Sequence, residues 1–306
     1  MRLFKATNID FMGNRKIWYT VSMITLLVGV FGITFKGLSF GIDFLGGTEL
    51  VLRFETAPSI NELRQAVDKA GFKGSEIKSY GNPTDVLIFT STQAEGAKVA
   101  ETIRTELEKS FPNNKYIVLR EDKIGPKIGS ELRRNAMYAV LATMVIIMIY
   151  VGFRFHFEYG VAGVIAIFHD VLATLGLIVL LNGISPYLSL EINQTIMAAF
   201  LTLIGFSIND TVIVFDRIRE NLKIYKSESM FTIINKSINE TLSRTVITSG
   251  TVVLVLVVLI IFGGEVNRGF AFTFLIGTIF GTYSSIYVAS ALVLDYSIYR
   301  KKKSTK

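Results

Sequence analysis

Gly205-Phe-Ser-Ile-Asn-Asp-Thr-Val-Ile-Val-Phe-Asp-Arg-Ile-Arg-Glu-Asn221 places an aspartate, Asp210, inside an apolar run that becomes basic only at Arg217. Ionising a carboxyl group in hydrocarbon is penalised by at least about 2.5 kcal/mol, so an acid at this position faces a partner or a water-filled path. Arg244, which opens the next apolar stretch, is the candidate partner.

Working outward from this segment, half of all residues are hydrophobic (50%), and they gather in blocks rather than at amphipathic spacing. Blocks near 20 residues long are membrane spans. Candidate spans cover residues 17–35, 136–153, 160–181, 192–215, 245–262 and 270–294, which predicts a polytopic α-helical membrane protein with six transmembrane helices. Arg15 and Lys16 precede the first span and no small-x-small cleavage site follows it, so it reads as an uncleaved signal anchor.

Basic residues set the orientation. Arg2, Lys5, Arg15 and Lys16, then Arg217, Arg219, Lys223, Lys226 and Lys236, then Arg300 to Lys303 mark cytoplasmic segments, so both termini lie inside. The net charge of +7 follows from this asymmetry and from attraction to anionic membrane lipids. It gives no reason to expect nucleic-acid binding, which calls for a basic groove with stacking aromatics. With no cysteine and two histidines, there is no disulfide framework, no thiol nucleophile and no expected metal or cofactor site.

The division expected is 1–35 for the cytoplasmic N-terminus and first span, 36–135 for an outer domain, 136–294 for the remaining spans, and 295–306 for a basic tail. The outer segment reads as strand 48–55, helix 59–70 with a Ser59/Glu62 capping box, strands 76–80 and 85–91 joined by Gly81-Asn82-Pro83, helix 93–110 and strand 116–120. That order, βαββαβ, is an α+β ferredoxin-like domain. Its flanks are rich in glycine: Gly41, Asp43, Gly46 and Gly47 on entry, Gly125, Pro126 and Gly129 on exit. They read either as tight packing or as a hinge. The cytoplasmic connection 216–243 reads as an amphipathic helix on the membrane surface.

Asp210 lies roughly 10 Å above the Arg217 end of its helix, at a depth that Arg244 can share from the neighbouring helix. Burial and a nearby guanidinium act in opposite directions on such a carboxyl, which makes it a candidate proton carrier. Ser207, Asn209 and Thr211 extend a polar path, and His169-Asp170 in the third span is a second relay element or an interhelical pair. Gly277, Gly281, Thr282, Ser284 and Ser285 form a small-residue surface for helix packing. An aspartyl enzyme built on Asp170 and Asp210 is disfavoured because Asp210 follows Asn209 rather than a Gly-x-Gly context, and no enzyme activity is expected.

Six motifs in order resemble the SecF side of the SecD/SecF family of bacterial protein-export subunits, within the RND superfamily. They are Gly41-Ile-Asp-Phe-Leu-Gly-Gly-Thr48, Ile124-Gly-Pro-Lys-Ile-Gly-Ser-Glu-Leu-Arg133, His169-Asp170, Gly205 to Asn221, Asn239-Glu-Thr-Leu-Ser-Arg-Thr245 and Gly281-Thr-Tyr-Ser-Ser-Ile-Tyr-Val288. Phe206 stands where tyrosine is common, and Ile124 and Ile128 where valine is common. The resemblance implies half of an RND-type bundle completed by SecD, with the outer domain in the periplasm. It also implies work beside the SecYEG channel in the cytoplasmic membrane, where the proton-motive force moves an unfolded preprotein after the SecA stage. The family's membrane aspartate and arginine fall on Asp210 and Arg244. The alternatives are a non-conducting assembly subunit and half of another RND-type proton-coupled transporter.

Overall fold

The computed structural model describes residues 7–92, 98–185 and 187–304. Among these are six helices long and apolar enough to span a membrane. The first is α1 (Arg15–Lys36); a single turn, α2 (Ile42–Leu45), leads into the sheet unit. Then come β1 (Gly47–Phe54), α3 (Ile60–Lys69), β2 (Glu76–Tyr80), β3 (Asn82–Thr90), α4 (Lys98–Ser110) and β4 (Tyr116–Ile124). Helices α5 (Pro126–Arg154), α6 (Phe157–Leu181), α7 (Gln194–Ile224) and α8 (Met230–Phe262) follow. The last span comprises α9 (Gly264–Ser284), a π-helical turn at Ser285–Ala289 and α10 (Ser290–Ser304).

The chain divides into two units, one of spanning helices and one comprising Leu38–Met137 with Leu181–Met197. In the second unit the sheet order is β2-β3-β1-β4 and every neighbouring pair is antiparallel. This is the split arrangement expected from βαββαβ, because each helix crosses over a strand that another segment fills. Leu50, Leu52 and Phe54 of β1 alternate onto one face and bury against Leu63 and Val67 of α3 and Ile103 and Leu107 of α4. Ser59 caps α3 by accepting from the Glu62 backbone N–H, at 3.5 Å. Gly81 alone makes the β2–β3 turn at φ +76°, so Asn82 and Pro83 belong to β3 rather than to a loop. The expected first residues of α4, 93–97, lie outside the described residues.

The glycine-rich flanks pack backbone against backbone within this unit. A Cβ on Gly46 would lie 2.8 Å from the Pro126 Cα, and one on Gly129 3.0 Å from the Gly46 N. Gly46 and Gly47 also take φ of +72° and +136°, which side chains disfavour. Pro126 is the first residue of α5, where its missing N–H is harmless, so Gly129 is helical and not part of a loop. Asp43 Oδ2 accepts from the Gln194 N–H at 2.9 Å and thereby satisfies one open donor at the start of α7.

In the helical unit, Gly29 of α1 meets Gly176 of α6 so closely that a Cβ on Gly176 would lie 2.3 Å from the Gly29 Cα. Phe155, Tyr159 and Phe215 pack edge to face or stacked where the α5–α6 connection meets α7. The connection 216–243 is not a separate helix on the membrane surface. Helix α7 runs on to Ile224, α8 begins at Met230, and Ile234 and Ile238 are buried in the protein core. Asn235 and Asn239, one turn apart, hold the N-terminal segment: Asn239 Oδ1 accepts from the Ile9 N–H and Asn235 Oδ1 from the Phe11 N–H, both at 2.8 Å.

Candidate functional site

A cluster of buried polar groups lies where α6, α7, α8 and α9 meet. Their approach is set by glycine. Gly277, Gly281 and Ser284 share one face of α9 at i, i+4 and i+7, and Cβ atoms on Gly277 and Gly281 would lie 2.6 Å from Leu203 Cδ2 and 3.0 Å from Ser207 Cβ. With α9 that close to α7, two serines from different helices reach the same acid. Ser207 Oγ and Ser284 Oγ donate to Asp170 Oδ2 at 2.6 and 2.7 Å. His169 Nδ1 lies 3.0 Å from Asp170 Oδ1, and its Nε2 is buried with no hydrogen-bond partner among the described residues.

Asp210, one turn further along α7 than Phe206, is fully buried and faces α8. Its Oδ2 accepts from Ser249 Oγ at 3.2 Å, and Ser249 Oγ accepts in turn from Thr282 Oγ1 at 2.8 Å. The chain Thr282–Ser249–Asp210 thus crosses three helices. Among the described residues Asp210 Oδ1 has no hydrogen-bond partner. A buried carboxylate oxygen left without a protein partner costs about 1–3 kcal/mol or more.

The other anticipated residues sit differently. Arg244 is exposed and forms no ion pair with Asp210 within 4.0 Å among the described residues, although its charge still acts on that carboxyl. Asn209 is also exposed, because adjacent residues on a helix point about 100° apart and Asp210 takes the inward position. Thr211 is buried but bonds back to its own helix, to the Ser207 carbonyl at 3.2 Å. Asp170 and Asp210 each have their own partners and, among the described residues, share no hydrogen bond. Ser249 was not anticipated, although Thr245, Thr248 and Ser249 make the start of its span unusually polar. Thr282 and Ser284, read from sequence as packing residues, are hydrogen-bond donors to this cluster.

The sequence profile described as protein export membrane protein SecD/SecF, C-terminal, matches residues 102–298, and that of the SecD/SecF GG motif matches residues 31–58. The chain belongs to the SecD/SecF family. It is 43% identical to the protein translocase subunit SecF of Rhodothermus marinus over 96% of this chain and 95% of that one. Identity to the protein translocase subunit SecDF of Thermus thermophilus is 40%, over 95% of this chain and 39% of that longer protein. The crystal structure of SecDF from the same organism, described as a translocon-associated membrane protein, superposes with a TM-score of 0.83 at 37% identity, covering 95% of this chain and 39% of that one. Within the SecD/SecF match, the Gly46-Gly47 pair falls in the GG motif, and Asp170, Asp210, Ser249 and Thr282 all fall in the C-terminal region.

Proposed function

We propose that this multi-pass membrane protein is a SecF-type subunit that promotes protein translocation in the Sec pathway, coupling proton movement at Asp210 to the export of unfolded preprotein. The observation that carries the coupling is a fully buried carboxylate with one oxygen on a hydroxyl chain and the other without a hydrogen-bond partner among the described residues. Such a group exchanges a proton at little structural cost, since no protein bond on Oδ1 has to break. Each proton crossing 100 mV supplies about 2.3 kcal/mol, enough to bias a helix rearrangement.

In this reading Arg244 approaches Asp210 in another step of the cycle, while Asp170 holds α6, α7 and α9 together as a second relay element. SecD supplies the other half of the bundle, in keeping with the 39% share of the Thermus SecDF length that this chain covers. The unit acts in the cytoplasmic membrane beside SecYEG after the SecA-driven stage, with both termini in the cytoplasm and the sheet unit in the periplasm, as the distribution of basic residues supports. Motion reaches the sheet unit through Gly41, Asp43, Gly46 and Gly47 and through Gly125, Pro126 and Gly129.

The deciding experiment compares wild type with Asp210→Asn, expressed with SecD in membrane vesicles, for proton-driven completion of translocation and for assembly. Asparagine keeps an acceptor for Ser249 but cannot carry a proton. Lost stimulation with intact assembly is the expected result. Unchanged stimulation would reduce Asp210 to a structural helix contact and favour a non-conducting assembly subunit.

A further inference from the structure

At the inner end of the helical unit a cavity of about 290 Å³ opens between the start of α6, the start of α8 and α10. One wall is a single face of α10: Val293, Tyr296, Ser297 and Arg300 fall at i, i+3, i+4 and i+7, and Lys301 follows one turn after Ser297. Polarity changes steadily along that face. Val293 is 2% exposed, whereas the Arg300 side chain is 74% exposed, and the two are separated by roughly 10 Å along the helix axis. Opposite them, Tyr159 is buried and Met230 is half-buried, so the deep part of the cavity is apolar on both sides.

This gradient from hydrocarbon through hydroxyl to cation, over about 10 Å, matches the upper part of a phospholipid. We infer that the cavity between α6, α8 and α10 seats one anionic phospholipid, with its phosphate on Arg300 and Lys301 and the first part of an acyl chain against Val293, Tyr159 and Met230. Charge complementarity commits the site to an anionic headgroup. Lys302 and Lys303 continue the basic run, whereas Glu158 is the one acid in the lining. Glu158 Oε1 stands 4.0 Å from Arg300 Nη1, at the edge of ion-pair range beside the cavity mouth, so the guanidinium keeps donors for two phosphate oxygens. The aromatic and basic mouth is also what a membrane–water interface selects. A zwitterionic lipid offers the same chain but no net charge for the two cations. Inorganic phosphate offers the charge but nothing for the apolar wall. The inference concerns a lipid site and stands apart from the proton-coupling reading.

The test is retention of lipid by the full chain, purified with its SecD partner from membranes and quantified by native mass spectrometry against phosphatidylglycerol and phosphatidylcholine. Wild type is expected to retain phosphatidylglycerol selectively, unaffected by millimolar inorganic phosphate. Arg300→Gln with Lys301→Gln should weaken retention by on the order of tenfold or more, because each basic residue near an anionic headgroup contributes appreciably. Lys302→Gln with Lys303→Gln removes the same charge outside the cavity and should leave most of the retention in place. Val293→Trp, which fills the deep end and keeps every charge, should also abolish it. Equal loss in the two double variants would mean general attraction of a basic tail and would overturn the site. Equal retention of phosphatidylcholine, or displacement by inorganic phosphate, would overturn it as well.

Discussion

Ser249 carries more of the site than its size suggests. Its hydroxyl donates to Asp210 and accepts from Thr282, so one small side chain joins α7, α8 and α9. Ser249→Ala should leave both Asp210 oxygens without a protein partner and destabilise the helical unit by about 1–3 kcal/mol, seen as a lower melting temperature of the purified complex. Asp210→Asn should cost less, because the amide still accepts from Ser249. The acids of this site were legible in the sequence because a carboxylate in an apolar run is conspicuous. Their donors were not, since serine and threonine serve packing, back-bonding and hydrogen bonding alike, and only the approach of helices distinguishes these roles. Asn209 is polar and adjacent to Asp210, but helical rotation turns it to the exposed side of α7.

At the scale of elements, two glycine contacts set the helix spacing that the hydrogen bonds require. Gly281→Val would push α9 away from Ser207 and separate Ser284 from Asp170, at a cost of about 1–3 kcal/mol from overpacking. The expected result is loss of translocation stimulation with the chain still inserted, checked by protease accessibility of the sheet unit. Most elements could be read from periodicity and breakers alone: the strands of the sheet unit, α3 with its serine cap, and all six spans. The ends of the spans could not. Helices α5, α7 and α8 extend well past their apolar cores, because polar residues such as Arg133, Asn221 and Asn235 continue a helix once hydrocarbon no longer demands an apolar face. The segment 216–243 was misjudged because an amphipathic pattern identifies a buried face without saying whether lipid or protein covers it.

Across the whole molecule, two units with separate cores stand on different interactions, and acid should tell them apart. In the sheet unit Arg53 donates to both oxygens of Asp85, at 2.8 and 2.7 Å, across the β1–β3 pair. The Arg53 hydrogen bonds hold the Asp85 carboxyl below its ordinary value of 3.8, against an opposing effect of burial. A carboxyl depressed on folding stabilises above its unfolded value and loses that contribution as pH falls below about 4 toward the folded one. Arg53→Gln should therefore flatten the pH dependence of sheet-unit stability in that acid range, measured by amide hydrogen exchange in the intact protein. A different kind of constraint comes from the π-helical turn at Ser285–Ala289, where Ser290 Oγ donates back to the Ser285 carbonyl at 2.8 Å. A wide turn holds one residue more than the regular spiral, and one residue is worth about 100° of rotation. The last span is thus clocked: its upper half indexes Gly281 and Ser284 to the acids, and its lower half indexes Val293 and Arg300 to the inner cavity. Deleting a single residue from 285–289 removes the surplus and should give a regular helix with both halves still docked, whereas closing all five residues into a regular α-helix would turn one half by about 100°, so that either half can dock but not both.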